Sequence, residues 1–157
     1  MKSSPRVVAF LKDIYVDEIR AANQYQSHAA TVLVMGLPKL AAKFNERYGD
    51  ESKHADAIRA RLARYGLPAL AYSGNVPATN GNEQDVSSML SAQRTLEVGA
   101  VKKYEDAIKV CCEEGDNDTR ELFVNNLKDE GDHVEEIETD QGLIERITIE
   151  NFEQAMM

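Results

Sequence analysis

Four long stretches of this sequence carry an apolar stripe at helical period, and each stripe is broken near its middle by a glutamate. Along the first, Val7, Leu11, Ile14, Ala22, Tyr25, Ala29 and Val32 share a face, and Glu18 falls four residues from both Ile14 and Ala22. Along the second, Leu40, Phe44, Tyr48, Ala55, Ile58 and Leu62 form the stripe, with Glu51 and His54 between Tyr48 and Ile58. The third runs Val86, Leu90, Gln93, Ala100, Tyr104, Ile108 and Cys111 around Glu97. The fourth runs Phe123, Leu127, Val134, Ile137, Gln141 and Ile144 around Glu130 and His133. Such helices bury their stripes against one another, so a chain with four of them brings its carboxylates into one layer.

Punctuation between the stripes sets the topology. Ser4 as N-cap and Pro5 open a helix over 4–35, and Gly36, Leu37 and Pro38 turn it into a second over 38–65 that stops at Gly66. A third helix over 83–114 is expected from a cap at Asn82 or Asn80, with Glu83 and Asp85 in its first turn, to Gly115. Asp118 followed by Glu121 reads as a capping box for a fourth over 118–145, and a short tail helix over 149–157 follows Thr148. The long helices span roughly 42 to 48 Å each, and short turns make hairpins of the first and last pairs. The sixteen residues from Leu67 to Asn82 are rich in Gly, Pro, Asn and Ser and can stretch roughly 50 Å, enough to return along the bundle. The fold class is therefore all-α: an up-down-down-up four-helix bundle with one long crossover loop and a short C-terminal fifth helix, in a single domain over 1–157.

Bulk properties narrow the function. With 157 residues, 43% hydrophobic and 29% charged, the chain can bury a substantial core without staples. Its net charge of −9 repels phosphate backbones, which argues against nucleic acid as a partner. The apolar run Val7 to Leu11 is too short for a signal peptide or a span, so a cytoplasmic protein without membrane contact is expected. Cys111 and Cys112 are neighbours, a poor geometry for a mutual disulfide, and are read as reduced thiols buried on a helix.

The interruptions carry the chemistry. Glu51 and His54, like Glu130 and His133, are three apart and share a helix face. Glu51 lies 33 residues after Glu18, and Glu130 lies 33 after Glu97, so the two hairpins repeat one spacing and imply an internal pseudo-twofold. Four buried carboxylates cost several kcal/mol each unless paired, and no Lys or Arg occupies the middle of the stripes. Two divalent cations would balance them, and two imidazoles complete a set suited to iron or manganese.

Across nearly its whole length the sequence resembles the bacterioferritins, ferritin-like di-iron proteins. The matching segments are Asn23-Gln24-Tyr25 after Glu18, Glu51 to His54 followed by Ala55-Asp56, Gly66-Leu67-Pro68, Asp129-Glu130 with His133, and Asn151-Phe152. The resemblance implies that Glu51 and Glu130 bridge two iron ions, with Glu18 and His54 completing one site and Glu97 and His133 the other. It further implies Fe(II) oxidation by O2 or H2O2, storage of ferric mineral in a self-assembled cage of twenty-four subunits, and a ferredoxin-type reductant for iron release. Bacterioferritins hold haem between paired subunits through a Met directly after the first bridging Glu. Ser52 stands at that position and offers no thioether, so no haem is expected in homo-oligomers.

Other readings of the same bundle fit less well. A di-metal peroxidase of the rubrerythrin or manganese-catalase kind would bring a Cys-x-x-Cys pair or an added carboxylate on the stripes. A DNA-protecting mini-ferritin would carry a basic tail, where this chain has only Lys2 and Arg6, and would bind metal between subunits. Tyr25, seven residues after Glu18, is a candidate electron donor as well as a core residue. His28 is read as a hydrogen-bonded core histidine rather than a ligand, and Glu46 and Asp50, four residues apart, either as guides for iron on a cavity face or, as acidic pairs more often are, as residues facing solvent.

Overall fold

The computed structural model describes residues 4–67 and 83–157. Helix α1 (Pro5–Val34) starts where the Ser4 hydroxyl accepts a hydrogen bond from the Arg6 N–H at 3.2 Å, with Pro5 in its first turn. There follow α2 (Pro38–Arg64), α3 (Val86–Glu114), α4 (Asn117–Ile147) and the short α5 (Ile149–Ala155). Gly36 and Gly115, at φ +83° and +69°, close the two short turns in a conformation that a Cβ disfavours. No described helix is long and apolar enough to cross a membrane.

Two helix starts differ from the sequence reading. Asp85 caps α3 by accepting from the Ser88 N–H at 2.8 Å, so that helix begins at Val86 and Glu83 precedes it. The Asn80 and Asn82 caps and the loop over 68–82 lie outside the described residues. Asp116, directly after the turn glycine, caps α4 by accepting from the Thr119 N–H at 3.1 Å, which leaves Asp118 inside the first turn. In both cases the carboxylate reaching the free N–H groups first defines the helix start.

Contacts between helices fix their directions. Along α1 and α3, His28 meets Gln93, Tyr25 meets Glu97, Glu18 meets Tyr104 and Arg6 meets Glu113, an antiparallel order. Each hairpin is antiparallel as well, so α2 and α3 run the same way and the bundle is up-down-down-up. Leu67 packs with the cluster around Val7 and Cys111, whereas Glu83 reaches His28, so these residues stand towards opposite ends, as one crossover requires.

The core is divided in two. One cluster includes Tyr25, Val32, Leu40, Phe44, Leu90 and Phe152, the last brought in by α5; the other includes Leu11, Ile14, Ile58, Leu62, Tyr104 and Phe123. The stripes of α1 and α2 are buried much as read, but Tyr48, Ala100, Ile108, Leu127, Val134, Gln141 and Ile144 are only half-buried. Met89, Ala107, Asn126 and Asp140 are buried instead, because a helix face wider than one row lets neighbouring rows share the interior. Cys111 is buried and Cys112 exposed, both as free thiols, which corrects the expectation that both are inside.

Thr148 joins α4 to α5 at φ 72° and ψ 159°, a region that a β-branched residue enters only under strain. Its side chain caps no backbone N–H of α5 and reaches only the exposed Glu150 side chain, a bond that water can replace. Thr148→Gly is therefore expected to raise stability by about 1 kcal/mol in chemical denaturation, strain relief exceeding the entropy of the added glycine.

Candidate metal centre

Between the two apolar clusters lies a layer of acid and imidazole. Glu18 on α1, Glu51 and His54 on α2, Glu97 on α3, and Glu130 and His133 on α4 are each at most 5% exposed. Their ligand-type atoms gather in two groups, with one atom from each residue all within 4.8 Å of one another. Glu18, Glu51, His54 and Glu130 form the first group; Glu51, Glu97, Glu130 and His133 form the second. Glu51 and Glu130 belong to both.

The histidines face inward through Nδ1. His54 Nδ1 lies 2.9 Å from Glu130, 3.5 Å from Glu18 and 3.7 Å from Glu51. His133 Nδ1 lies 3.1 Å from Glu51, 3.4 Å from Glu97 and 3.8 Å from Glu130. Outward, His54 Nε2 is 3.1 Å from Asp129 and His133 Nε2 is 3.5 Å from Asp50. A carboxylate at the outer nitrogen holds the proton there and leaves Nδ1 free to donate its lone pair. The outer glutamates are held too, since the Tyr25 hydroxyl donates to Glu97 and the Tyr104 hydroxyl to Glu18.

An internal twofold runs through this layer. Glu18, Tyr25, Phe44, Asp50, Glu51 and His54 each have an identical residue 79 positions later, at Glu97, Tyr104, Phe123, Asp129, Glu130 and His133. Phe44 packs on Tyr25 at 6.5 Å between ring centroids, and Phe123 on Tyr104 at 5.6 Å. The repeat therefore reaches beyond the six inward residues to the groups that position them.

Titration behaviour reflects the crowding. Burial raises Glu18 to about 8, and burial likewise holds Glu130 well above the usual carboxylate range. Glu51 feels the same burial, but its contacts with His133 and His54 outweigh it and bring it down to about 2. Burial works against charge on the histidines, yet the facing glutamates push His133 up to about 11 and His54 higher still. Tyr25 and Tyr104 stay neutral phenols, raised first by burial and then by the adjacent carboxylates.

Despite their proximity these groups are not aligned as hydrogen-bond partners. Glu51 Oε1, both Glu130 oxygens and both histidine Nδ1 atoms are buried without one. Unpartnered buried polar atoms cost about 1–3 kcal/mol each, and here five converge on one spot. Four carboxylates with two imidazole nitrogens, arranged as two overlapping groups, fit a pair of divalent cations of the iron or manganese type. A cleft of about 210 Å³ reaches the four glutamates from between α1 and α3, bordered by Asp17, Arg20 and Lys103.

A ferritin-like domain matches residues 8–147. The chain belongs to the ferritin-like family. Within that family it is similar to proteins named bacterioferritin and bacterial ferritin. It is 32% identical to the bacterioferritin of Brucella melitensis, over 98% of this chain and 94% of that one. It is 31% identical to the bacterial ferritin of Synechocystis, over 100% and 99% of the two chains. With the bacterial ferritin of Pseudomonas aeruginosa it shares 30% identity over the full length of both.

This ferritin-like chain also holds residues near its centre that periodicity did not reveal. Tyr104 appears in the stripe only as a core residue, and Asn126, which donates to its hydroxyl at 3.0 Å, falls off the stripe. Asp50 does not simply face solvent but stands beside His133, whereas Glu46 is exposed. The signal available was the Asp-Glu-x-x-His sequence repeated at Asp50 and Asp129. Arg47 is buried one turn from Glu51, where no internal cation was expected; it pairs with Gln93 and Glu136 and not with the four glutamates. His28 is a satisfied core histidine, its Nδ1 3.0 Å from Gln93 and its Nε2 3.4 Å from Glu83.

Proposed function

We propose that this protein oxidises Fe(II) to Fe(III) at a centre for two iron ions within each subunit and stores the product as ferric mineral in a cage built from copies of itself. The observation that carries this reading is the pair of overlapping Glu and His groups sharing Glu51 and Glu130, whose buried atoms lack hydrogen-bond partners. Similarity to the bacterial ferritins named above supports the storage role, and a cage of twenty-four subunits is proposed with it. Fe(II) is the substrate. Each ion gives up one electron, so a pair matches the two-electron reduction of O2 to H2O2, or of H2O2 to water.

The chain's own residues hold the pair. Glu51 and Glu130 reach both positions; Glu18 and His54 complete one, Glu97 and His133 the other. Asp129 and Asp50 fix the outer imidazole nitrogens, and Tyr104 and Tyr25 keep the outer glutamates turned inward. Tyr25, donating to Glu97, is assigned as an auxiliary electron donor. A cytoplasmic setting and a ferredoxin-type reductant for iron release complete the reading.

Stopped-flow mixing of Fe(II)-loaded, oxygen-free protein with O2 tests it. A fast oxidation phase should saturate at two Fe(II) per subunit, and Zn(II) added first should block it. Oxidation no faster than in buffer would refute the reading.

Haem does not fit this chain's counterpart of the family's haem-ligand position. Ser52 is half-buried, and its hydroxyl donates to the Tyr48 carbonyl at 2.8 Å within α2. Purified protein supplemented with haem is expected to show no bis-methionine Soret band, and Ser52→Met to create one.

A further inference from the structure

We infer that the two metal positions are unequal, the one at Glu18 and His54 being the tighter, and that Arg47 sets much of the difference. The inference rests on the di-iron reading above. Its ground is a break in the internal twofold: the inward residues repeat after 79 positions, but Arg47 repeats as Asn126.

Arg47 is 2% exposed, and its guanidinium lies 5.9 Å from the centre of the Tyr25 ring. It donates to Gln93 at 3.3 Å and to Glu136 at 3.1 Å. Glu136 is 55% exposed, so water screens much of its counter-charge, and the Arg47 Nε has no partner at all. A buried cation is thus left beside the tyrosine that donates to Glu97. It strengthens that donation and draws charge from Glu97, which makes Glu97 the poorer metal ligand. It also repels a cation bound nearby. Across the twofold, Asn126 is neutral and merely donates to Tyr104. Arg20 and Lys103 border the cleft, but both are partly exposed and tied to Asp17, and Lys103 also to Asp13.

The histidine supports break the symmetry in the same direction. Asp129 lies 3.1 Å from His54, whereas Asp50 lies 3.5 Å from His133 and is shared with Lys53 at 2.8 Å; Asp129 is 51% exposed against 32% for Asp50, and water screens part of this difference. An outer carboxylate raises the basicity of a ligating imidazole, and sharing it with a lysine weakens that effect. Arg47 is therefore a positioning residue that acts through Tyr25 and Glu97.

Calorimetric titration of the metal-free, full-length protein with Co(II) under nitrogen tests this, with Co(II) absorbance followed in parallel. Two steps of one ion per subunit are expected, separated by about tenfold in affinity or more. His54→Ala should remove the tight step, and His133→Ala should leave it in place. Arg47→Met should narrow the gap, while Arg47→Lys, which keeps the charge, should preserve it. Lys53 is exposed, so Lys53→Ala should fold normally and tighten the second step more than the first, because Lys53 bonds Asp50 and acts on Asp129 only at longer range; with the histidine variants it decides the matter if Arg47→Met does not fold. A single step of two equal ions overturns the inference and leaves the di-metal reading standing, as does loss of the tight step in His133→Ala or an equal effect of the Met and Lys variants at Arg47. Absence of any Co(II) binding overturns both.

Discussion

Glu130→Leu should abolish the fast phase of Fe(II) oxidation, slowing it by about 100-fold or more, and yet leave the metal-free protein as stable as before or more so. Glu130 is fully buried, belongs to both ligand groups, and neither of its oxygens has a hydrogen-bond partner. Changes to groups that only support a metal ligand typically cost 10- to 100-fold, so removing a residue shared by both positions should cost at least the upper figure. Stability should respond in the opposite sense. In the metal-free chain Glu130 adds to a crowd of acids, with burial pushing its carboxyl well above the usual range. Taking one carboxyl out of a crowd of buried acids relieves their mutual repulsion and a desolvation cost, which offsets the loss of its 2.9 Å approach to His54, so metal-free stability should hold or rise slightly. Guanidinium unfolding of chelator-treated protein, beside stopped-flow oxidation, reads both effects. A fall in metal-free stability of several kcal/mol would mean that Glu130 serves the fold, and the assignment of its role to metal would fail.

That split between function and fold also accounts for what could be read from the sequence. The convergence of Glu18, Glu51, His54, Glu97, Glu130 and His133 was legible because a charge inside an apolar stripe must be buried whenever the stripe is, and the 33-residue spacing set them at one level. Topology was legible because short turns permit only hairpins and the long loop only a return. What escaped depends on partners far apart in the chain. Tyr104 meets Glu18 across 86 residues and His54 meets Asp129 across 75, pairings that no local period encodes. Arg47 and Arg61 are charged residues outside the apolar stripes, yet each is buried because acceptors from other helices surround its head group. The same limit misplaced the start of α4, where Asp116 is both the cap and an acceptor for Arg61.

Arg61→Met is expected to cost about 3–5 kcal/mol at neutral pH, the largest single loss of stability this bundle should show outside its apolar clusters. Arg61 is 7% exposed and donates to Thr119 at 2.8 Å, to Tyr65 at 3.0 Å and to Asp116 at 2.9 Å. Methionine can fill part of the volume but leaves Asp116 charged and largely buried without its cation. The pH dependence distinguishes this cause from poor packing. Burial opposes ionisation of Asp116, but hydrogen bonds from Tyr65, Thr119 and Arg61 outweigh it and hold the carboxyl below the usual aspartate range. A carboxyl lowered by folding contributes stability above its unfolded value, about 3.9, and loses it as pH falls through the folded value. The penalty of Arg61→Met should therefore be greatest near pH 7, shrink as Asp116 of the variant takes up a proton near pH 4 or above, and vanish only once pH has fallen through the lowered folded value of the parent protein. Asp116→Asn keeps an acceptor for the α4 cap, and the double variant Arg61→Met with Asp116→Asn should be more stable than Arg61→Met alone. A penalty independent of pH, and undiminished in the double variant, would assign the loss to packing and leave the buried ion pair without a role in stability.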